Sequence, residues 1–322
     1  MENTTKKEIV QALVAYMEEH NMSQSQVAER AKVRKEYLSI ILKPESNFMY
    51  DAGSGAKGFI GVKYFNALAA FCGFKIEKEY WQTQHTAQTI AILANLQDAR
   101  DNHLTLTLNG ETGSGKSFTA NLFAAKNPID TFIVTAGSSD TLNDLIDKIV
   151  DKLKVHSTGS SKSTKLRGIT QKMQMLKNYG HKPMLIIDEA EYLKQAALCA
   201  MKELYDNLNE FCSIVFIGTD QLVTNIEKLR RRNKAGIPQF HRRIKFGLRT
   251  LPTIDRSYAL FIGDIEDREL KKFILSNCDN YGELHDVIVP ATREADRLGE
   301  PLTMQLVRKV LNLPEGNLVW QN

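Results

Sequence analysis

The sequence predicts an α/β protein: a parallel sheet flanked by helices, preceded by a small all-α unit and followed by a helical lid. Strand-like and helix-like segments alternate from about Leu104 onward, which is typical of a parallel sheet covered by helices. Apolar residues follow helical spacing before that point and again after about Leu251. We therefore expect a helical domain over 1–82, an α/β domain over 83–250 and a lid over 251–322.

Within the α/β domain, four segments have the apolar composition of buried strands and two have helical spacing. The predicted strands are LTLTLNG, TFIVTA, PMLIIDEAE and CSIVFIGTD, and the predicted helices are KSFTANLFAAK and TLNDLIDKIVDKL. The stretch TQHTAQT, residues 83–89, is the expected linker between the first two domains. The glycine-rich stretch 44–61 is expected to form a loop or wing inside the first domain.

Composition limits the classes of protein to consider. The chain has 322 residues, a formal net charge of +4 and four cysteines without a C-x-x-C pair, so neither a zinc site nor a disulfide framework is indicated. No apolar run approaches the roughly 18 residues of a membrane span, and the first residues lack the apolar core of a signal peptide. We expect a cytoplasmic protein with no membrane partner, whose mild positive charge permits a DNA partner without requiring one.

Residues 21–43 predict two short amphipathic helices joined by a tight turn, with Ser23 and Gln26 forming a capping box at the first helix. This pattern resembles a helix-turn-helix of the phage-repressor type, whose second helix enters the major groove of DNA. The candidate DNA contacts on that second helix are Arg34, Lys35 and Ser39. Similar spacing occurs in small helical domains that dock proteins or have only a structural role, so those alternatives stay open.

The segment from Gly110 to Ser117 has the pattern G-x-x-x-x-G-K-S between a predicted strand and a predicted helix, as in a phosphate-binding loop. Its glycines let backbone N–H groups and the helix N-terminus face phosphates. Lys116 would contact the β and γ phosphates of ATP, and the Ser117 hydroxyl would ligate Mg²⁺. The predicted nucleotide-binding residues are Gly110, Glu111, Thr112, Gly113, Ser114, Gly115, Lys116, Ser117, Phe118 and, from a later strand, Asp188.

Two further predicted strands end in polar residues that could act on a bound nucleotide. Asp188 follows four apolar residues, where it can complete the Mg²⁺ shell, and Glu189 is placed to polarise an attacking water. Thr219 ends the CSIVFIG strand and is the candidate for orienting water or the γ phosphate. The alternative for Thr219 is a helix cap with no role at the nucleotide.

A pair of arginines lies beyond the last predicted strand. Arg242 and Arg243 precede Ile244 and Phe246, which are apolar positions suited to an edge strand or a core contact. An arginine at a subunit border could enter the nucleotide site of a neighbour and stabilise transition-state charge. The alternative is a solvated basic surface.

A second basic segment covers residues 155–168, where small polar residues carry Lys162, Lys165 and Arg167. The composition predicts a mobile loop that contacts the DNA backbone. The alternative is a disordered linker between helices.

In this order, the phosphate loop, the strand ending in Asp188 and Glu189, Thr219, the paired arginines and the lid resemble the AAA+ ATPases. With the repressor-like first domain, the chain is similar to the transposition B proteins of phage Mu, and more distantly to IstB and TnsC-type target-selection ATPases. The resemblance implies a DNA-stimulated ATPase that uses ATP and Mg²⁺ and forms an ATP-dependent homo-oligomer or helical filament on duplex DNA. It would select target DNA and activate a transposase.

By motif position, the resemblance also implies that Thr219 is the sensor and that Arg242 or Arg243 acts in trans. The lid departs from the AAA+ pattern, because Thr303 and Met304 stand where many lids begin a helix with a sensing arginine, and Arg308 follows about a turn later. Two other functions stay open. A helicase loader would share every catalytic residue, and a transcription regulator would read an operator while ATP sets its oligomeric state.

Overall fold

The computed structural model describes residues 3–43, 47–53, 56–74, 80–155, 159 and 161–314. The chain divides into two compact units, Met1–Glu79 and Tyr80–Asn322. This division falls slightly before the boundary expected from the sequence, between 82 and 83. We describe each unit by itself.

The first unit is not all-α as the sequence predicted, because its described part contains an antiparallel strand pair beside its helices. Its elements are α1 (Asn3–Glu19), α2 (Gln24–Arg30), α3 (Lys35–Ile41), β1 (Met49–Gly53), β2 (Ala56–Phe59) and α4 (Val62–Phe71). The predicted pair of short helices is therefore present as α2 and α3, with Val27 and Leu38 fully buried between them and the rest of the core. The glycine-rich stretch expected as a loop or wing contains the β1–β2 pair, while residues 44–46 and 54–55 lie outside the described residues.

The start of α2 has the capping box that the sequence predicts. The Ser23 hydroxyl accepts a hydrogen bond from the Gln26 N–H, and the Gln26 side chain accepts one from the Ser23 N–H at 2.8 Å. These contacts satisfy donors that a helix start otherwise leaves unpaired. The interpretation of α2 and α3 as a DNA-binding helix-turn-helix stays a prediction.

The second unit contains a parallel sheet in the strand order β4-β5-β6-β3-β7. Its strands are β3 (Thr105–Asn109), β4 (Thr131–Thr135), β5 (Met184–Asp188), β6 (Ser213–Gly218) and β7 (Leu248–Thr250), all paired in parallel. The first four correspond to the four strands that the sequence predicts. Because alternate residues of a strand face opposite sides, Leu185 joins one apolar core and Ile186 the other.

Helices cover both faces of the sheet and form the lid. They are α5 (Ala87–Asn102), α6 (Lys116–Lys126), α7 (Leu142–Leu153), α8 (Lys162–Asn178), α9 (Gln195–Leu208), α10 (Asp220–Arg231), α11 (Ile237–Ile244), α12 (Ala259–Ile262), α13 (Arg268–Asn277), α14 (Tyr281–Leu298) and α15 (Met304–Val310). The helices from α12 onward enclose an apolar cluster of their own, around Leu270, Leu284 and Val307. In the part of the chain that the structure describes, no helix is both long enough and apolar enough to cross a membrane.

Two local expectations were wrong. The expected linker at 83–89 instead contains the start of α5, where Thr86 caps the helix and Gln88 is buried. The basic segment expected as a loop is helical from Lys162, because Ser161 accepts a hydrogen bond from the Thr164 N–H and so caps α8; residues 156–158 and 160 lie outside the description.

The apolar positions after the paired arginines were expected in an edge strand or a core contact. Ile244 makes the core contact, since it ends α11 with its side chain buried, whereas Phe246 is exposed. The edge strand begins later, at Leu248.

We predict that Ser23→Ala destabilises α2 by about 1 kcal/mol, because the substitution removes the acceptor for the Gln26 N–H. Hydrogen exchange of the α2 amides in the full chain measures this loss. Ser25→Ala is the matched control, since Ser25 lies inside the same helix and is exposed. Equal exchange rates in the two variants would contradict the capping role.

Candidate nucleotide-binding site

The loop between β3 and α6 has a backbone that depends on glycine. Gly113 and Gly115 adopt φ values of +70° and +82°, in the left-handed region that L side chains rarely adopt, and Gly115 is the residue from which α6 begins. Lys116 folds back over the loop, where its Nζ donates hydrogen bonds to the carbonyl oxygens of Gly110 (3.0 Å) and Glu111 (2.7 Å). The Lys116 side chain is thus bound to the carbonyl oxygens of its own loop.

The same loop has the features of an anion cradle. The first N–H groups of α6 have no partner within the helix, and the helix dipole favours negative charge at this end. The hydroxyl oxygens of Ser114 and Thr119 are buried without a hydrogen-bond partner among the described residues. Ser117 is half-buried, while Thr112 and Phe118 are exposed. Donors without partners around a glycine loop fit the phosphates of a nucleotide.

Acidic residues come to the same edge of the sheet from neighbouring strands. Asp188 is buried at the end of β5, and its Oδ1 accepts a hydrogen bond from the Glu189 N–H at 3.0 Å. Glu189 itself has a φ of +54°, a strained backbone conformation for a residue other than glycine. An observed strain of this kind at a cleft is a frequent mark of a functional position.

Burial and like charge shift the pKa values of this cluster. Burial raises the pKa of the Glu189 carboxyl above its usual value, and the carboxylates of Glu191 and Asp188 raise it further, while Lys116 acts in the opposite direction. Burial lowers the pKa of Lys116, and the surrounding carboxylates oppose that shift, Glu191 most strongly. The Lys116 ammonium and the carboxylates of Glu189, Glu191 and Asp188 therefore act on one another where burial limits their contact with water.

Sequence reasoning missed Glu191, Asp220 and Asn109. Glu191 lies in a 3-10 turn, Ala190–Tyr192, and its Oε1 accepts a hydrogen bond from the Thr219 hydroxyl at 2.9 Å. The Asn109 amide at the end of β3 donates to Oδ1 of Asp220 at 2.6 Å. The available signal was position, since each of the three residues lies at or just beyond the carboxyl end of a strand, where ligands bind in parallel sheets.

Thr219 does not act as a side-chain cap of α10, although it directly precedes that helix. Its hydroxyl is directed to Glu191 instead. This geometry weighs against the alternative in which Thr219 only caps the helix.

The lid contacts the loop directly. The Glu111 carboxylate accepts hydrogen bonds from Nη2 of Arg256 (2.7 Å) and from the backbone N–H of Ile254 (3.2 Å). The Tyr281 N–H at the start of α14 donates to the Gly113 carbonyl oxygen at 3.1 Å, and a Cβ on Gly113 would overlap the Asn280 side chain. Of the predicted nucleotide-binding residues, Glu111 therefore contributes a backbone carbonyl to Lys116 and directs its side chain toward the lid.

The structure distinguishes the two arginines of α11. Nε of Arg243 donates to Asp206 at 2.6 Å, and its guanidinium lies 5.6 Å from the centre of the Tyr205 ring. Arg242 is exposed and makes no hydrogen bond or ion pair with the described residues. Arg243 holds α11 against α9, whereas Arg242 is available to a partner.

The candidate DNA contacts of the first unit lie where the sequence predicts them. Arg34 is the residue from which α3 begins, Lys35 is its first residue, and both are exposed together with Ser39. The Arg34 guanidinium lies 5.6 Å from the centre of the Tyr37 ring. An exposed cationic helix start can reach phosphates or base edges.

The candidate DNA contacts of the second unit are different from the expectation. They lie on α8 rather than on a loop, and Lys165 and Lys162 form ion pairs with Asp147 and Glu203. Arg167 is exposed. Because two of the three cations already have acidic partners, this helix is a weaker candidate for DNA than the sequence suggested.

Comparisons with known proteins agree with this fold. Residues 99–226 match the model of the AAA domain family. The Mu-like prophage FluMu DNA transposition protein B of Haemophilus influenzae is 25% identical over 243 residues, which cover 72% of this chain and 74% of that protein.

Two solved structures share the fold. Cdc6p from Pyrobaculum aerophilum has a TM-score of 0.54 at 14% identity, with 75% of this chain and 71% of that chain covered. The Aeropyrum pernix ORC2 protein, solved as ADPNP-ADP complexes, has a TM-score of 0.50 at 16% identity, with 76% and 72% covered. The predicted resemblance and the predicted α/β fold are confirmed: residues 99–226 match the AAA domain family, the fold is that of the solved structures above, and the chain is similar in sequence to a Mu-like transposition protein B.

Proposed function

We propose that this protein is a Mg²⁺-dependent, DNA-stimulated ATPase that assembles on duplex DNA, selects it as a target and activates a transposase. The observation that carries the ATPase part is the meeting of the Lys116 loop with Asp188 and Glu189 at one edge of the sheet. The similarity to a protein named DNA transposition protein B supports the transposition part.

The proposed reaction is hydrolysis of ATP to ADP and phosphate. The oxygen of a water forms a bond to the γ phosphorus while the bond between that phosphorus and the bridging oxygen of ADP breaks. Glu189 takes the proton from the water. Lys116 faces the charge on the β and γ phosphates.

The residues that would hold Mg²⁺ are Ser117 and Asp188. Serine hydroxyl and carboxylate oxygens are ligands that this ion prefers. When bound, the ion neutralises phosphate charge and so favours attack at the γ phosphorus.

Assembly would complete the site. Arg242 is our candidate for the residue that enters a neighbour's nucleotide site, because it is exposed and unpaired within the described chain while Arg243 is held by Asp206. A nucleotide between subunits would make assembly depend on the γ phosphate, so that hydrolysis releases the DNA. In the first unit Arg34, Lys35 and Ser39 are the candidate DNA contacts, and Arg167 is a secondary one.

We predict that Lys116→Ala weakens ATP binding at least tenfold, whereas Glu189→Gln binds ATP and loses turnover by roughly 10². The reason is that Lys116 contacts the nucleotide in the ground state, while Glu189 acts on the water. Titration with a fluorescent ATP analogue and a phosphate-release assay separate the two effects. Lys126→Ala, at the exposed end of the same helix, is the matched control. Normal turnover in both site variants would refute the ATPase assignment.

We predict that Arg242→Ala lowers ATP turnover by about 10³ and that mixing it with Glu189→Gln protein restores part of the activity. The mixed interface would join an intact Glu189 from one subunit to an intact Arg242 from the next. Arg243→Ala should keep turnover and lower the thermal midpoint, since it removes the contact with Asp206. The opposite pattern would make Arg243 the trans-acting residue, and normal turnover in both variants would indicate a solvated basic surface.

The transposition part is tested by strand transfer with the transposase of a Mu-like element. Insertion should rise when this protein and ATP are added, and Glu189→Gln should stay on the DNA longer because it does not hydrolyse ATP. A double variant, Arg34→Ala with Lys35→Ala, should lower DNA affinity and reduce the salt dependence by a log–log slope of about 1.8. Lys7→Ala, an exposed cation on α1, is the control. If insertion is the same with and without the protein, and the protein loads a replicative helicase, the helicase-loader alternative is favoured.

A further inference from the structure

The Thr219 hydroxyl has a fixed hydrogen-bond role in this structure. A threonine hydroxyl has one proton to donate and two lone pairs that accept. The proton of Thr219 goes to Oε1 of Glu191 at 2.9 Å, so only its lone pairs remain for a bound molecule. Phosphate oxygens also accept hydrogen bonds at neutral pH, and two acceptors cannot pair. In this arrangement Thr219 can accept from water but cannot donate to a γ phosphate.

The second oxygen of Glu191 is buried and has no hydrogen-bond partner among the described residues. It lies against the end of β6, where a Cβ on Gly218 would come within 2.8 Å of it. Because the end of β6 lies against this oxygen, the carboxylate has little room to turn, and Oε1 stays directed at the Thr219 hydroxyl.

The same carboxylate also acts on the lysine of the glycine loop. Of the carboxylates that raise the pKa of Lys116, Glu191 has the largest effect, ahead of Glu189 and Asp188. Glu191 is therefore a neighbour of the loop that we propose binds the phosphates.

We propose that Glu191 is a positioning residue for ATP hydrolysis, which commits the Thr219 hydroxyl to accept a hydrogen bond from the attacking water. Glu189 takes one proton of that water and Thr219 holds the other, so the oxygen lone pair is directed at the γ phosphorus. This inference rests on the proposed ATPase function.

A purely structural role for Glu191 can be separated from this one. The Glu191 backbone carbonyl accepts a hydrogen bond from the Asn225 side chain of α10 at 3.3 Å. This second contact joins the same turn to the same helix without involving the Thr219 hydroxyl. Asn225→Ala is therefore a matched control, which loosens the turn and leaves the side-chain pair intact.

The test measures kcat and KM for ATP in the full chain with DNA present. Glu191→Met keeps the length of the side chain but lacks a strong acceptor, and we expect kcat to fall about tenfold while KM changes less than about twofold. Thr219→Val, an isostere without the hydroxyl, should give the same loss. Glu191→Gln still accepts the Thr219 proton and should keep kcat within about threefold of the wild type.

The double variant Glu191→Met with Thr219→Val decides whether the two residues act together. We expect roughly the tenfold loss of either single variant, because both remove one interaction, whereas independent roles would multiply to about a hundredfold. Asn225→Ala should keep the wild-type kcat.

Three outcomes would overturn the inference: a wild-type kcat in Glu191→Met, a multiplied loss in the double variant, or an equal loss of kcat in Asn225→Ala. Thermal melting of each variant shows whether it is folded. If Glu191→Met is not folded, Glu191→Gln is measured in its place. Because Glu191→Gln still accepts the Thr219 proton, the inference predicts that the folded variant retains kcat. If the wild-type protein itself hydrolyses no ATP, the proposed function fails and the inference fails with it.

Discussion

The rest of the nucleotide site depends on how the charge of Lys116 is held. Its ammonium is largely removed from water and donates to two carbonyl oxygens of its own loop, while carboxylates from β5, the following turn and α10 surround it. Burial raises the pKa of the Glu189 carboxyl, and the neighbouring carboxylates of Glu191 and Asp188 raise it further. Without a cation among them they would be costly to keep ionised in so little water. Phosphate oxygens would compete for the same ammonium, so the loop and the strand ends respond to a nucleotide together.

Most of the sheet could be predicted from the sequence because its signals are local. Each of the strands β3 to β6 is short and rich in apolar or β-branched residues, and the loop before α6 has a pattern whose glycines are required by its backbone. The errors also have local causes. The polar residues at 161–164 were expected to form a loop. A serine can equally cap a helix by accepting a hydrogen bond from the N–H three residues later, and Ser161 does so with Thr164 in the structure.

The site was predictable only in part, since several of its contacts join residues far apart in the chain. Glu191 and Thr219 lie on different elements, and their hydrogen bond exists only because β5 and β6 are neighbours in the sheet. Arg242 and Arg243 are chemically identical in the sequence. They differ because α11 turns Arg243 toward Asp206 on α9 and leaves Arg242 exposed. The lid contact of Glu111 likewise depends on the position of Arg256.

The hydrogen bonds between lid and loop would couple the position of the lid to the binding of nucleotide at the loop. Gln88 of α5 donates to the carbonyl oxygens of Pro252 and Thr253 and accepts from the Tyr281 hydroxyl, while the N–H of Tyr281 donates to Gly113 in the loop. A displacement of α14 would therefore act on the backbone of the loop that we propose binds the phosphates. If a partner binds one lid position better than another, it changes the affinity of the protein for nucleotide. By thermodynamic reciprocity, the nucleotide then changes the affinity for that partner by the same factor. A neighbouring subunit that contacts only the lid would therefore change the binding constant for nucleotide, although none of its residues would touch the nucleotide.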